Sequence, residues 1–272
     1  MIDLQSHSTV SDGELPPAGV VEAAAAAGVT TLALTDHDAI DGIEEANRTA
    51  SEVGIALVPA AEISCIHAAI DDLHILGYWI EPVAIAPACE RAQAERRERA
   101  AEIVARLQAA GFDLTLEDAI AEAGEADSIG RPHIAKAAGA TKETMNAFFE
   151  EWLVPDGGKA FVARSWPTAT DAVNLIHEAG GAAVLAHPFW DLDSPSEVAE
   201  LISDLDLDGV ECFYPSHDRT QTKFLVDVCA DRGLAATGSS DFHGPSHKLF
   251  NEFGSYRTYG LGEPELPPTP AR

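Results

Sequence analysis

The sequence predicts an α/β enzyme of the barrel type with a small helical subdomain inserted into it. Three observations predict this. Strand-like and helix-like segments alternate on both sides of a purely helical stretch, about seven strands can be counted, and metal-type ligands stand at the strand ends. Catalytic residues at the carboxyl ends of several strands are the rule for barrel-type α/β enzymes. At 272 residues the chain is long enough to bury a full core.

Residues 2–7 read as a strand, 16–27 as a helix, 30–35 as a strand, 42–53 as a helix and 55–62 as a strand. Gly28 and Gly54 follow the two helices, where C-terminal caps belong. Residues 73–80 form another strand, and the alternation predicts a parallel sheet with helices packed outside it. Residues 87–151 then read as helical: a charged run, 90–99, precedes Ile103, Leu107 and Phe112 at helical spacing. That apolar repeat is too short to sustain a coiled coil. After Gly157-Gly158-Lys159 the alternation returns, with helices at 168–179, 195–205 and 218–232 and strands at 182–186, 209–213 and 234–239. The expected organisation is a barrel from 1–86 and 157–263, a helical insertion over 87–156, and a loose Pro-rich tail, 264–272.

Composition narrows the partners. Net charge is −28, with 45 acidic residues against 17 basic ones, and only Lys136, Lys142, Lys159, Lys223 and Lys248 are lysines. Such a surface repels long duplex nucleic acid and anionic membranes. Adaptation to high salt and an ordinary acidic cytoplasmic enzyme both account for it. No apolar run approaches the roughly 18 residues needed to cross a bilayer. Met1–Gln5 carries neither the basic nor the apolar segment of a signal peptide. Cys65, Cys89, Cys212 and Cys229 form no CxxC pair, so buried free thiols and a cytoplasmic location are expected.

Chemistry is concentrated in seven stretches: Gln5-Ser6-His7, Thr35-Asp36-His37-Asp38, Glu62, His74, Ala186-His187-Pro188, Glu211 and Ser240-Asp241-Phe242-His243. Gln5 and His7 are two apart on a strand and so share a face, as do Asp241 and His243. Asp12, in Ser11-Asp12-Gly13, follows the first strand and can reach over the sheet. Asp36 and Asp38 flank His37 and are placed to orient its ring. Singly, each is a satisfied polar residue about as often as a ligand. Jointly they imply that the strand ends converge on one point. Imidazoles and carboxylates bind Zn, Mn or Fe ions, which turn water into a nucleophile near neutral pH. A metal-dependent hydrolase is expected.

In this order, HxH (here with Gln5 first), SDG, TDHD, an isolated Glu, an isolated His, AHP and SDFH, the chain resembles the polymerase and histidinol phosphatase (PHP) family over nearly its whole length. The resemblance implies a distorted (β/α)7 barrel, TIM-like, with a trinuclear metal centre that hydrolyses phosphoesters. Carried over by position, His7, Glu62 and Asp241 would hold a first metal, with Gln5 in place of its remaining histidine. Glu62 would bridge to a second held by His74 and His187, and Asp12, His37 and His243 would hold the third. The insertion resembles a subgroup acting on nucleoside 3′,5′-bisphosphates and 5′ ends of short RNA, through Ile129-Gly130-Arg131-Pro132-His133 and Gly158-Lys159. There Arg131 offers a planar fork for a phosphate that is not being cleaved, and His133 and Lys159 add donors. A surface arginine at a helix start is the alternative.

The resemblance thus implies a small phosphorylated nucleotide as substrate and two or three divalent ions (Mn, Zn or Fe) as cofactors. His187, His217 or a metal-bound water would protonate the leaving oxygen, while His67, His177 and His247 read as structural. Gln5 departs from the pattern, because an amide oxygen is a poorer ligand for Zn or Fe than imidazole. A harder ion such as Mn, one metal fewer, or a loss-of-function substitution each explain it. Histidinol phosphatase and a non-catalytic metal-dependent nucleotide sensor are the rival functions. Amidohydrolase barrels are the rival family, but they commonly bridge metals through a lysine, and this chain has none before Lys136.

Overall fold

A computed structural model describes residues 1–124, 129–155, 157–190 and 192–269. Parts of the expected insertion (125–128 and 156) and the last three residues of the expected tail lie outside the described residues. In chain order the elements begin with β1 (Ile2–Asp3), α1 (Pro17–Ala26), β2 (Thr31–Leu34), α2 (Ile43–Val53), β3 (Ala56–His67) and β4 (Ile70–Tyr78). Helices α3 (Pro82–Ala109), α4 (Leu116–Ala123), α5 (Arg131–Ala137) and α6 (Met145–Phe148) follow, the last running into a π turn at Phe149–Leu153. The chain then continues through α7 (Ala169–Glu178), β5 (Ala182–Leu185), α8 (Pro195–Asp204), β6 (Gly209–Phe213), α9 (Arg219–Arg232) and β7 (Ala235–Gly238).

The seven strands are hydrogen-bonded in sequence order from β1 to β7. The ends nearly meet: Ser6 bridges Phe242 in parallel, His7 N donates to Phe242 O at 2.8 Å, and Leu4 N to Gly238 O at 3.3 Å. The result is a nearly closed α/β barrel. Gly28 and Gly54 adopt positive φ, 84° and 81°, just beyond α1 and α2, a backbone conformation that costs glycine nothing. Capping boxes fix the starts of α4 (Thr115/Asp118), α7 (Thr168/Asp171) and α9 (Asp218/Gln221).

The sheet departs from the expected all-parallel arrangement, because β4 runs antiparallel to both β3 and β5. Only residues 68–69 separate β3 from β4. A parallel return needs a crossover of a dozen or more residues, so a two-residue link dictates a hairpin. Ala68, with φ of 50°, makes the tight turn. β3 therefore does not stop at Glu62 but continues to His67, and β4 begins at Ile70, three residues before the expected start. β4 returns through α3 and its successors to β5, with which it pairs directly.

Leu4, Ala33, Val58, Ala60, Leu76, Tyr78, Val184 and Ala186 form one buried cluster drawn from β1 to β5 and their ends. The helical stretch has a buried cluster of its own, built on Ile103, Val104, Leu107, Leu114, Ile129, Ile134 and Leu153. Each such Leu or Ile side chain contributes roughly 1.5–3 kcal/mol by leaving water. Ion pairs from this layer and from the segment that follows it reach β4 and the loop after β2. Arg96 Nε meets Asp38 Oδ2 at 2.6 Å, Arg164 Nη2 meets Asp72 Oδ1 at 2.7 Å, and Arg131 Nη2 meets Asp72 Oδ2 at 2.9 Å. Burial would raise Asp38, but Arg96 and Arg164 hold its carboxyl below the usual range. Glu265 N donates to Ala236 O and Trp79 Nε1 to Pro267 O, so the described part of the 264–272 segment lies against β7 and the end of β4. All four cysteines are buried free thiols. No described helix is long and apolar enough to cross a membrane.

Tyr78 is fully buried, and its hydroxyl donates to Leu4 O at 2.8 Å, tying β4 to the chain just after β1. Tyr78→Phe leaves that carbonyl without its side-chain donor and is expected to cost about 1–3 kcal/mol. Urea unfolding should show a lower midpoint at unchanged m.

Candidate metal centre

The loop after β1 is folded tightly enough to demand glycine. A Cβ on Gly13 would sit 2.2 Å from His7 O, a backbone atom that cannot yield. Asp36 clamps the same loop, accepting from Ser8 N (2.7 Å), Ser8 Oγ (2.8 Å) and Ser11 Oγ (2.7 Å). Asp38 accepts from Ser64 N (2.9 Å) and Arg96 Nε (2.6 Å). The two aspartates beside His37 thus lock neighbouring backbone, where the sequence suggested that they orient its ring. Asp38, His187 and Asp241 hold positive φ of 50°, 24° and 53°. Such residues cost about 1–3 kcal/mol each and concentrate at functional sites.

Glu62, wholly buried in the middle of β3, is the meeting point. Its Oε2 lies 3.1 Å from His7 Nε2, 3.4 Å from His37 Nδ1 and 3.1 Å from Gln5 Nε2, which donates to it. Its Oε1 lies 2.9 Å from His74 Nδ1 and 3.3 Å from His187 Nε2. Asp241 Oδ1 is 3.1 Å from His7 Nε2 and 3.7 Å from His243 Nδ1. Asp12 Oδ1 approaches His7 Nδ1 at 3.7 Å and His243 Nε2 at 3.6 Å, and its Oδ2 approaches His37 Nε2 at 3.8 Å. Gln5, His7, Asp12, His37, Glu62, His74, His187, Asp241 and His243 are therefore brought together. His74 comes from the middle of antiparallel β4, not from a strand's carboxyl end.

The donor set suits metal ions. His7, Asp12, His37 and His243 each offer an atom within 4.8 Å of the others, and so do His37, Glu62 and His74. Bonds of ~2.0–2.2 Å allow two donors on one ion to stand up to about 4.4 Å apart, which covers the paired approaches of 2.9–3.8 Å given above, while the widest pairs in each group would have to close by a few tenths of an ångström. Buried His7 Nε2, His37 Nδ1, His187 Nδ1 and Asp241 Oδ1 lack hydrogen-bond partners. Buried polar atoms left this way need an explanation, and a bound ion is one.

Burial would raise Glu62, yet His37 and His74, with His187 and His7 also close to its oxygens, hold it well below the carboxylate range. Burial also opposes ionisation of Asp241, but His243 and His7 bring it down to about 2. Burial pushes His37 down to about 4 despite Glu62 and Asp12, the direction that favours an imidazole able to act as a ligand. His74 goes the other way: Glu62 and Asp72 outweigh burial and push it up to about 10. Behind the cluster, burial pushes Glu211 up to about 8. Its Oε1 lies 2.5 Å from Ser239 Oγ, its Oε2 accepts from His187 N, and Ser239 Oγ in turn lies 3.4 Å from Gln5 Oε1.

The cluster lines a cleft of about 320 Å³ together with Trp190, Tyr214, Phe250, Pro132 and Phe149. A second arm of about 170 Å³ shares Asp12, His37 and His74 and is lined by Arg96, Arg99 and Arg131. Arg131 is thus beside the cluster, held by Asp72 Oδ2 and Leu153 O. His133 accepts from Gly130 N through Nδ1 and lines a recess with Asp12 and Arg96. Lys159 is exposed, pairs with Glu151 Oε1 and lies over the Trp152 ring, and it lines neither arm. His217 lies behind Tyr214 with Nδ1 on Cys212 O, and burial pushes it down to about 4.

The sequence reading missed four residues here. Arg96 and Arg99 were not singled out from the charged run 90–99, although their i, i+3 spacing puts them on one helix face. Tyr214, whose hydroxyl donates to Asp241 Oδ2 at 2.7 Å, and Trp190 lie in the stretches that follow β6 and β5, each the second of two adjacent aromatics, Phe213-Tyr214 and Phe189-Trp190. No periodicity marks them.

A family profile for the PHP domain matches residues 3–152. A relative from Chromobacterium violaceum named 3′,5′-nucleoside bisphosphate phosphatase is 36% identical, the match covering 90% of this chain and 87% of the relative. One from Haemophilus influenzae named 5′-3′ exoribonuclease is 35% identical, covering 89% of this chain and 90% of that one. A solved structure of an amidohydrolase from Chromobacterium violaceum with bound sulfate superposes with a TM-score of 0.83 at 32% identity. It covers 93% of this chain and 90% of its own.

Divalent transition-metal ions added to chelator-stripped protein should raise its melting temperature. A ligand at 100 times its Kd contributes about 2.7 kcal/mol. His37→Ala, which touches both donor groups, should remove most of that rise in differential scanning fluorimetry.

Proposed function

The chain belongs to the PHP domain family, and we propose that it is a metal-dependent phosphoesterase that removes the 3′ phosphate of nucleoside 3′,5′-bisphosphates. Short RNA 5′ ends are a further substrate in this reading. The carrying observation is the forked cleft, which sets a carboxylate and imidazole cluster beside an arm lined by three arginines. A substrate with one phosphate to cleave and another to hold matches that division.

Two or three divalent ions, Mn, Zn or Fe, fit the donor set. Gln5, His7, Glu62 and Asp241 would hold one, Glu62, His74 and His187 a second, and Asp12, His37 and His243 a third. Such ions supply a nucleophile from water near neutral pH and neutralise charge on phosphoryl oxygens. The chain's own groups do the rest. Arg131, supported by Arg96 and Arg99, binds the phosphate that stays, and that remote binding energy orients the phosphate that leaves. His187 lines the cleft while His217 does not, which favours His187 over His217 near the leaving oxygen. The stretch 87–156 is read as an insertion that supplies the arginine arm to a barrel made of 1–86 and 157–263. The four buried free thiols agree with a cytoplasmic enzyme.

A histidinol-phosphatase-type activity is not favoured, because it leaves the arginine arm without a second phosphate. Gln5 donates to Glu62 through Nε2, so ligation through Oε1 requires the amide to turn over. Gln5→His should therefore raise metal content per chain, measured by elemental analysis, and turnover with it. Unchanged content would make Gln5 a competent ligand or no ligand.

Arg131→Ala should lower kcat/KM for a nucleoside 3′,5′-bisphosphate about ten- to a hundredfold more than for a nucleoside 3′-monophosphate. This corresponds to one charge-assisted contact of ~1.5–3 kcal/mol. Equal losses on both would make Arg131 a support for Asp72 only.

A further inference from the structure

Trp190 is the one exposed residue among the chain's four tryptophans, all of them described, with 52% of its surface open. A large aromatic in that position gains little from the core and leaves apolar area in water, so its place calls for a use. It stands one turn beyond a candidate metal ligand, its N donating to His187 O at 2.8 Å, with ring centroids 6.3 Å apart. Phe250 backs it at 5.8 Å. Phe250 is itself stacked on His247 at 5.1 Å and packed against Tyr214 at 5.7 Å. Backbone fixes this scaffold as well, since His243 N donates to Phe250 O and Phe250 N donates to His247 Nδ1. The ring is therefore braced from behind at the mouth of the cleft.

The two arms share the metal-type cluster but differ in character. Arginines line one, and Trp190, Tyr214 and Phe250 line the other. A nucleotide whose cleaved phosphate lies on the cluster has two further parts, a second phosphate and a base, and charge assigns the phosphate to the arginines.

We infer that Trp190 is the platform on which the nucleobase stacks, positioning the substrate by the face of the base. The inference rests on the proposed nucleotide phosphatase function and adds the base to it. The walls of this arm offer rings rather than an array of amide and hydroxyl groups, so base identity is read weakly. Every base has a π face, and stacking tolerates all four, with purines favoured by their larger area.

The test compares adenosine and uridine 3′,5′-bisphosphates with the base-free 1-deoxyribose 3,5-bisphosphate, which keeps the sugar and both phosphates. Wild type should prefer the adenosine compound over the base-free one, with the uridine compound between them. In Trp190→Ala the adenosine-to-base-free ratio of kcat/KM should fall roughly ten- to a hundredfold, the range that base–aromatic stacking produces. Trp190→Phe should recover most of it. Binding of adenosine 5′-monophosphate to metal-free protein should quench tryptophan fluorescence in wild type and not in Trp190→Phe. A ratio unchanged in Trp190→Ala, or a wild type indifferent to the base, overturns the assignment of Trp190 while leaving the phosphatase function standing. Hydrolysis of none of the three compounds by wild type removes the nucleotide reading, and Trp190's role with it.

Discussion

A carboxylate sealed from water must be met by donors or cations, and in this barrel that carboxylate is Glu62. Five side chains from four other segments approach its two oxygens: Gln5 and His7 after β1, His37 after β2, His74 on β4 and His187 after β5. An unpaired ion at such depth costs several kcal/mol, so each partner is tied to the energetics of burying Glu62. Closure of the barrel between Ser6 and Phe242 then adds Asp241 and His243 to the same point. Fold and site are thus two descriptions of one convergence.

The same strand that helps neutralise Glu62 also anchors the helical layer. Asp72 and His74 are two apart on β4, and side chains two apart share a face. His74 points its Nδ1 at Glu62, while Asp72 binds Arg131 and Arg164. Asp72 also stands 3.7 Å from His74 Nε2. The arginine arm and the carboxylate cluster are therefore not independent surfaces facing each other. They are joined through two residues of one strand, so that the spacing between the arginines and the carboxylate cluster is set by β-strand geometry.

Most of the cluster was legible in the sequence because ligand identity and strand-end position coincide there. His7, His37, His187, Asp241 and His243 follow strands, and Glu62 ends the apolar run that predicted a strand end, although β3 runs on past it to His67. His74 was legible by type but not by place, since nothing in an apolar run states its direction, and only the short link after His67 implies a hairpin. The arginines of α3 were hidden because a charged run on a long helix usually faces water. Here Arg96 and Arg99 are each only 7% exposed, with Asp38 and Asp71 as partners. Lys159 was named through the resemblance alone, and in the fold its amine pairs with Glu151 and lines neither arm.

The antiparallel β3–β4 hairpin acts as a ruler. Its turn end carries Asp71 and Asp72 up to the arginines, and its lower part carries Glu62 and His74. Lengthening both arms by two residues keeps every side chain on its original face. It would also lift the arginine anchor by about 6–7 Å, two strand rises, while leaving Glu62 and His74 where they are. The distance between the two halves of the cleft can thus change in discrete steps, with the approach of Asp72 to His74 the one contact of the cluster that is given up. Spacing along the hairpin and the face on which each side chain stands are separately adjustable in this architecture.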